Sequence, residues 1–541
     1  MSRFEYFVEE FTADERKTLS GFFTNVDGPV FALVNLPEVV KGALFARYSR
    51  SPKSLRRLFL DEFVSNPDLG IETIAEQPGV GDGVDVDRAV ALYEKVFTDF
   101  GDDSVAQLGG VHLACEQSSN ILTKMIEWGR MAAYLEQSTR YIYYDKPLGG
   151  RYRYFVPAEI RDSKWNERYV EVIDNLFNTY KDLAPSLREH YEAKFPRVEG
   201  TPAVAYNGTI RAKVCDDLRG LLPAATTSNV GIYANGQAYE SMILRMRAHP
   251  LQEVRDYSQL MLDELRKVIP AFMRRVDLEN RGIAWTRYFA DIDERMRAVA
   301  HEHQAQANAR PAVTLVDWDV DAELKIAAAA LYAYSLLPDD QLLEIVRAMG
   351  VDERRKIVEA YVGDRKNRRH KPGRAFERAS YRFDIISDYG AFRDLQRHRM
   401  LTIEWQTLSF DLGHITPDTL IELNLDGKYD RAIAAVRELY GDLASDLGKE
   451  VAQYVVPFAA NVRYMMQLNA REAFHLLELR TAAAGHSSYR RICQQMHRLI
   501  GEKAGHGLIA GAMKFVDHED YQLGRLDGEK RSAAKRAEQE S

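Results

Sequence analysis

Cysteine is scarce in this 541-residue chain: Cys115, Cys215 and Cys493 are its three, far apart and odd in number. That spacing excludes a disulfide framework or a cysteine-built zinc site and points to a reducing compartment. Long apolar runs are missing too. None approaches the length of a membrane span, so no membrane partner is expected. Nor is there an excess of positive charge. Lys and Arg number 72 against 80 Asp and Glu, and the formal net charge of −8 gives no support to a nucleic-acid polymer as partner. The opening Met-Ser-Arg-Phe-Glu-Tyr-Phe-Val-Glu-Glu does not have a signal-peptide layout, and the expected location is cytoplasmic. Core-forming material, by contrast, is plentiful. With 46% hydrophobic and 10% aromatic residues the chain is globular, and it is long enough for two or more cores.

A long, imperfect repeat organises the chain. Pro29-Val-Phe-Ala-Leu-Val34 has strand length and β-branched content, and the segment from Pro37 to Ser49 reads as a helix with proline in its first turn. The same order returns as Ala312-Val-Thr-Leu-Val316 followed by a helix from Ala322 to Ser335. Later, Arg219-Gly-Leu-Leu-Pro223 leads to Asn235-Gly-Gln, and Gln453-Tyr-Val-Val-Pro457 leads at the same distance to Asn469-Ala-Arg. An apolar helical stripe precedes each: Tyr169, Ile173, Leu176 and Tyr180 in one copy, and Ile433, Val436, Tyr440, Leu443 and Leu447 in the other. Helices are expected after both, from Gln237 toward Met273 and from Arg471 toward Ile500. The expected division is an arm over 1–28, copy 1 over 29–297, a linker over 298–311, copy 2 over 312–517 and a charged tail over 518–541. The fold class is α+β: two tandem homologous lobes, each a small sheet packed with long helices, forming a pseudo-dimer.

Two loops at matching places in the copies carry chemistry. Copy 2 has Arg397-His398-Arg399; in an extended segment the two guanidinium groups would share a face and suit phosphate or carboxylate recognition. Copy 1 has Trp128-Gly129-Arg130 and, after it, Glu136-Gln-Ser138-Thr-Arg140-Tyr141. If Glu136 to Arg140 is extended, carboxylate, hydroxyl and guanidinium face one way and make a phosphate cradle.

Together these loops resemble the flavin-dependent thymidylate synthase family, whose signature is R-H-R-x-x-S-x-N-E-x-S-x-R-Y. Copy 2 keeps the first half in Arg397-His398-Arg399, with Thr402 and Thr407 at the serine positions. Copy 1 keeps the second half in Glu136, Ser138, Arg140 and Tyr141, with Arg130 as the third motif arginine. Gly101-Asp-Asp-Ser104 resembles the family's Gly-His-x-Ser segment, and Arg219 its nucleotide-phosphate arginine. Asn469-Ala-Arg471, His475 and Arg480 keep the spacing of its flavin- and uracil-contacting helix. Each copy has also lost part of the motif: Trp128, Gly129 and Gln237 in copy 1, and Trp405, Ser409 and Gln453 in copy 2.

The resemblance implies methylation of dUMP to dTMP with FAD, NADPH and methylenetetrahydrofolate as methylene donor. It assigns Arg480 to catalysis, and Glu136, Ser138, Arg140, Arg219 and Arg397 to the nucleotide. Ser104, Arg130, Arg397, His398, Arg399, Asn469, Arg471 and His475 go to the flavin, and no metal is implied. Because the losses are nearly complementary, the expectation is a composite site, with Glu136, Ser138 and Arg140 facing Arg397, His398, Arg399, Asn469 and Arg480. In the reciprocal pairing Trp128 and Gly129 would meet Trp405 and Ser409. A homodimer of two-copy chains would form a pseudo-tetramer. A flavin- and nucleotide-binding relative with another task, and a non-catalytic interaction protein, stay open as alternatives.

Overall fold

The structure is a computed structural model that describes residues 9–28, 31–48, 53–65, 107, 109–303, 305–526, 528 and 530. The N-terminal arm contributes α1 (Ala13–Phe22), and copy 1 contributes α2 (Glu38–Tyr48), β1 (Gly110–Ser119), α3 (Asn120–Ile126), β2 (Ala132–Glu136), α4 (Asn166–Lys194), α5 (Ala203–Leu218), β3 (Thr227–Asn235), α6 (Gly236–Arg247), α7 (Gln252–Val268) and α8 (Ala284–Glu302), whose last turn runs into the stretch expected as linker. Copy 2 contributes β4 (Val313–Trp318), α9 (Ala322–Tyr332), β5 (Ser380–Asp388), α10 (Tyr389–Leu395), β6 (Leu401–Trp405), α11 (Asp426–Asp446), β7 (Asn461–Asn469), α12 (Ala470–Arg480) and α13 (Ser487–Glu502). The sheets have the orders β1-β3-β2 and β4-β5-β7-β6, so β5-β7-β6 repeats β1-β3-β2 with β4 added at one edge.

The repeat extends to the helix caps. Ser119 accepts the Leu122 N–H at 3.1 Å and Asp388 accepts that of Ala391 at 2.8 Å, which starts α3 and α10 at the same point. Asn235 and Asn469 likewise accept the Ala238 and Glu472 N–H groups, both at 2.9 Å. Short polar side chains at matching positions therefore fix where four helices begin.

The chain forms two compact units that cut across the copies. The first gathers Met1–Cys115, Met131–Glu136 and Asn229–Gln304; the second gathers Glu116–Arg130, Gln137–Ser228 and Ala305–Ser541. In the first, β2 pairs with β3 antiparallel from Ala132↔Ala234 to Glu136↔Val230, and α6 packs on α7. The strand expected over 29–34 is not there among the described residues. Leu33 makes a single bridge to Phe23, and Asn35, with φ 55°, turns the chain immediately afterwards. Phe31 sits edge-on to the Phe23 ring at 5.5 Å, so the apolar residues feed an aromatic cluster.

The second unit holds the larger core. Tyr464, Met466 and Leu468 alternate inward along β7, while α4 and α11 pack their apolar stripes together. The equivalent turns after the helices meet in a reciprocal seam. Ala224 N–H donates to Val456 O at 2.8 Å, and Phe458 N–H to Leu222 O at 2.9 Å. Ala225 N–H donates to Tyr454 O at 2.8 Å, and Ala459 N–H to Gly220 O at 3.0 Å. Each bond is matched by its counterpart with the copies exchanged, the signature of a two-fold contact carried within one chain.

Candidate functional site

The site lies in the second unit, where α10 ends. Arg397-His398-Arg399 follows that helix as a turn and irregular backbone, not as the extended segment expected. The three side chains consequently diverge: Arg397 is half-buried, His398 buried and Arg399 exposed. One helical turn before Arg397, Asp394 is the carboxylate around which the cations gather. Arg219 Nη1 reaches its Oδ2 at 3.2 Å, and Arg480 Nη1 lies 3.9 Å from its Oδ1. Burial alone would push this carboxyl up; Arg219, Arg397, Arg480 and Arg140 together hold it well below the usual range. Arg140 and Arg219 come from copy 1, Arg397 and Arg480 from copy 2. Arg219, which a simple pairing of copies would leave at the other loop, thus shares a carboxylate with Arg480.

Arg140 is fixed by a fork. Its Nε and Nη2 donate to Asp216 at 2.7 and 2.9 Å, and its Nη1 donates to the Tyr489 hydroxyl at 2.9 Å. The buried Tyr489 ring lies 5.6 Å from the Arg140 guanidinium and 5.5 Å from that of Arg480, joining the two copies' arginines. Burial opposes the charge on Asp216, but Arg140 depresses its carboxyl strongly. His486 caps α13, sits against the Asp216 carbonyl at 3.2 Å and is pushed down to about 3, chiefly by burial. The stretch from Glu136 to Arg140 is not one extended segment. Strand β2 ends at the buried Glu136, and Ser138 Oγ accepts the Arg140 N–H at 3.2 Å in the turn that follows.

Arg219 is 3% exposed, and its Nη2 is buried with no hydrogen-bond partner. It lines a cavity of about 620 Å³ together with Lys213, Asp216, Asp217, His486 and Arg491. Asp217, on the same wall, accepts from the Tyr191 hydroxyl and is pushed up to about 6, mainly by burial.

On the other side of Arg480, its Nε donates to His398 Nε2 at 2.9 Å, and His398 Nδ1 lies 3.1 Å from Glu472 Oε1. His475 stacks edge-on at 5.2 Å. Burial keeps both imidazoles neutral, His398 well below its ordinary value and His475 down to about 4, and nearby cations reinforce this. Burial also raises Glu472 to about 7. The ligand atoms of His398, Glu472 and His475 lie within 4.8 Å of one another, but Arg368, Lys371, Arg399, Arg471 and Arg480 surround them with positive charge that opposes a metal ion.

The remaining expected residues are placed as follows. Arg471 donates from Nε to Pro372 O at 2.9 Å and lies near Glu377. The Asn469 amide oxygen is engaged as the α12 cap, and Arg130 Nη2 donates to Thr402 at 3.1 Å. Ser104 lies outside the described residues. In the reciprocal pairing Trp128 meets Trp405 edge-on at 6.1 Å, Gln453 Oε1 accepts the Leu408 N–H at 3.0 Å, and Ser409 bonds Asp411. Counting from the equivalent caps, the counterparts of Asp394, Arg397, Arg480, Arg140 and Arg219 are Met125, Trp128, Met246, Ser409 and Gln453. No charge is left in that second set.

Asp394, Asp216, Glu472 and Tyr489 were not picked out from sequence. A signal was present for the first three: each carboxylate stands three residues before a singled-out residue, at Asp216 and Arg219, Asp394 and Arg397, and Glu472 and His475.

The thymidylate synthase complementing protein family matches over residues 59–271 and 314–504. The chain is 38% identical to the UPF0159 protein of Chlamydia muridarum over 529 residues, 97% of this chain and 99% of that one. It is 30% identical to the UPF0159 protein of Thermoplasma acidophilum over 521 residues, 92% of this chain and 99% of that one. Similarity to the flavin-dependent thymidylate synthase of Clostridium tetani is 24% identity over 187 residues, 34% of this chain and 69% of that one. Among solved structures, a UMP/dUMP methylase from Streptomyces cacaoi bound with 5-Br dUMP is similar at 20% identity and TM-score 0.31, covering 37% of this chain and 94% of that one.

Proposed function

The chain belongs to the thymidylate synthase complementing protein family, and from that premise we propose that it methylates dUMP at carbon 5 at a composite site. Methylenetetrahydrofolate donates the carbon and NADPH the electrons, so dTMP, tetrahydrofolate and NADP⁺ leave. The observation that carries this reading is the convergence of Arg140 and Arg219 from one copy with Arg397 and Arg480 from the other on Asp394. Four cations against the carboxylates of Asp216 and Asp394 leave a positive surplus suited to a phosphate dianion. Ser138, Arg140 and Arg219 hold that phosphate, with the unpartnered Nη2 of Arg219 as its first donor.

The donors around His398 fit a large anionic cofactor: neutral imidazoles ringed by Arg368, Lys371, Arg399 and Arg471. His398, Arg399, Asn469, Arg471 and His475, with Arg130 and Arg397, are assigned to FAD, which when bound supplies the redox chemistry. The protein's own contribution is electrostatic. As carbon 5 of uracil becomes nucleophilic, negative charge grows on its N3–O4 side. A guanidinium fixed there, Arg480, stabilises the transition state more than the ground state. No cysteine nucleophile takes part, in keeping with three buried thiols all pushed up to about 12 by burial.

A second reading, nucleotide binding without turnover, is favoured by Asp216 and Asp394, whose carboxylates already engage the arginines a substrate would use. One assay separates the two. Purified protein is given FAD, NADPH, methylenetetrahydrofolate and dUMP tritiated at carbon 5. Release of tritium, abolished in Arg480→Ala with flavin retained, supports methylation; dUMP binding without release leaves the second reading.

A further inference from the structure

Arg480 Nε always carries a proton, so the nitrogen it meets at 2.9 Å, His398 Nε2, can only accept. His398 is neutral and has a single ring proton, which must then sit on Nδ1 and be donated to Glu472 Oε1 at 3.1 Å. The three side chains form a directed chain: Glu472 selects the tautomer, the tautomer presents a lone pair, and the lone pair aims the guanidinium. Glu472 and Arg480 both lie on α12, the first in its opening turn and the second at its end, so they are too far apart along the helix to meet directly. His398, from the turn after α10, spans the gap. The Asn469 cap holds the Glu472 backbone at 2.9 Å, and His475 packs on the imidazole.

We propose that Glu472 is a positioning residue for Arg480, acting through the tautomer of His398. This rests on the reading of Arg480 as the arginine that faces uracil. Removing the acceptor frees His398 to place its proton on Nε2, where it confronts the Arg480 N–H and turns the guanidinium away. Nucleotide binding relies chiefly on Arg140 and Arg219, so the loss falls on kcat and not on KM.

The test combines two readouts on the full-length protein, with intact folding checked by thermal unfolding. Histidine labelled with ¹⁵N, His398 being assigned from a His398→Asn spectrum, reports the tautomer. Tritium release reports kcat and KM for dUMP. Glu472→Ala is expected to lose the Nδ1–H form and about 100-fold in kcat, the scale of a 1 Å misplacement, with KM unchanged. Glu472→Gln keeps an acceptor oxygen and restores both. Where the alanine variant does not fold, Glu472→Asp, whose acceptor is withdrawn by one methylene, takes its place. A variant that keeps the Nδ1–H form, or one that loses it with kcat intact, overturns the proposal. If the wild type releases no tritium, the assigned reaction fails and the tautomer alone decides the positioning.

Discussion

Asp216 and Asp217 are neighbours on α5 that titrate in opposite directions. Burial works against the charge on both. Asp216 has the Arg140 fork and is held down; Asp217 has Lys213 and the hydroxyls of Tyr191 and Thr419, which do not offset burial and the Asp216 charge, and it rises from 3.8 to about 6. A raised carboxyl means that the folded state keeps its proton longer than the unfolded chain. Below about pH 4 both states are protonated and Asp217 costs nothing. Between about pH 4 and 6 the unfolded chain releases its proton first, stability falls, and above pH 6 the loss is complete. Asp217→Asn should therefore stabilise the protein at pH 8 by up to about 3 kcal/mol, with the gain vanishing near pH 3. Urea unfolding at both pH values reads this, and a variant progressively less stable than wild type as pH rises contradicts it.

At the level of elements, α10 places the arginine cluster, and its first turn is crowded. A Cβ on Gly390 would stand 2.9 Å from the Asp388 cap oxygen and 3.2 Å from Arg219 Nε and Nη2. Alanine is intrinsically the better helix former by about 1 kcal/mol, so propensity alone favours Gly390→Ala. The contacts argue the opposite: either the cap gives way, at about 1 kcal/mol, or Arg219 moves off Asp394. The variant should be no more stable than wild type and should bind dUMP about 10-fold more weakly; calorimetric titration that finds tighter or equal binding in a stabilised protein refutes this. Helix α10 also marks where the sequence is readable and where it stops. The apolar stripes of α4 and α11 and the helices that follow Asn235 and Asn469 are legible in local spacing, and they appear where spacing puts them, except that Leu447 falls just past the end of α11. The run over 29–34 was apolar enough for a strand, but periodicity cannot say whether such a run finds a pairing partner. The arginine cluster depends on pairs such as Arg219 and Asp394, 175 residues apart. No local pattern encodes that separation. The family motif supplied the arginines, but not the carboxylates that hold them.

The duplication has kept the backbone of the seam symmetric while letting the side chains diverge. The seam between Gly220–Ala225 and Tyr454–Ala459 exchanges its four hydrogen bonds in matched pairs, so each copy still supports the other as a two-fold partner would. The chemistry has not been shared in the same way. The four arginines and Asp394 stand in one of the two equivalent sets, while the other holds Met125, Trp128, Met246, Ser409 and Gln453; Asp216 keeps a charged counterpart in Glu450. Such loss is physically coupled. A lone arginine or aspartate left in a buried cluster after its partners had gone would be an unpaired buried charge, destabilising by about 3–5 kcal/mol; replacement of the whole set by apolar and neutral residues avoids that. Trp128 against Trp405 and Gln453 on the Leu408 N–H show the vacated positions serving packing and backbone satisfaction instead. A chain with two copies should accordingly bind one nucleotide, not two. Equilibrium dialysis with labelled dUMP at saturating concentration should give one per chain. Arg219→Gln, which puts the counterpart residue into the charged set, should remove that binding. Asp394 is then short of one of its cations, so the variant should also unfold at lower urea concentration. Two nucleotides per chain, or full binding by the Arg219→Gln protein, would mean that the second set recognises the ligand without charge and that the cluster on Asp394 holds the fold alone.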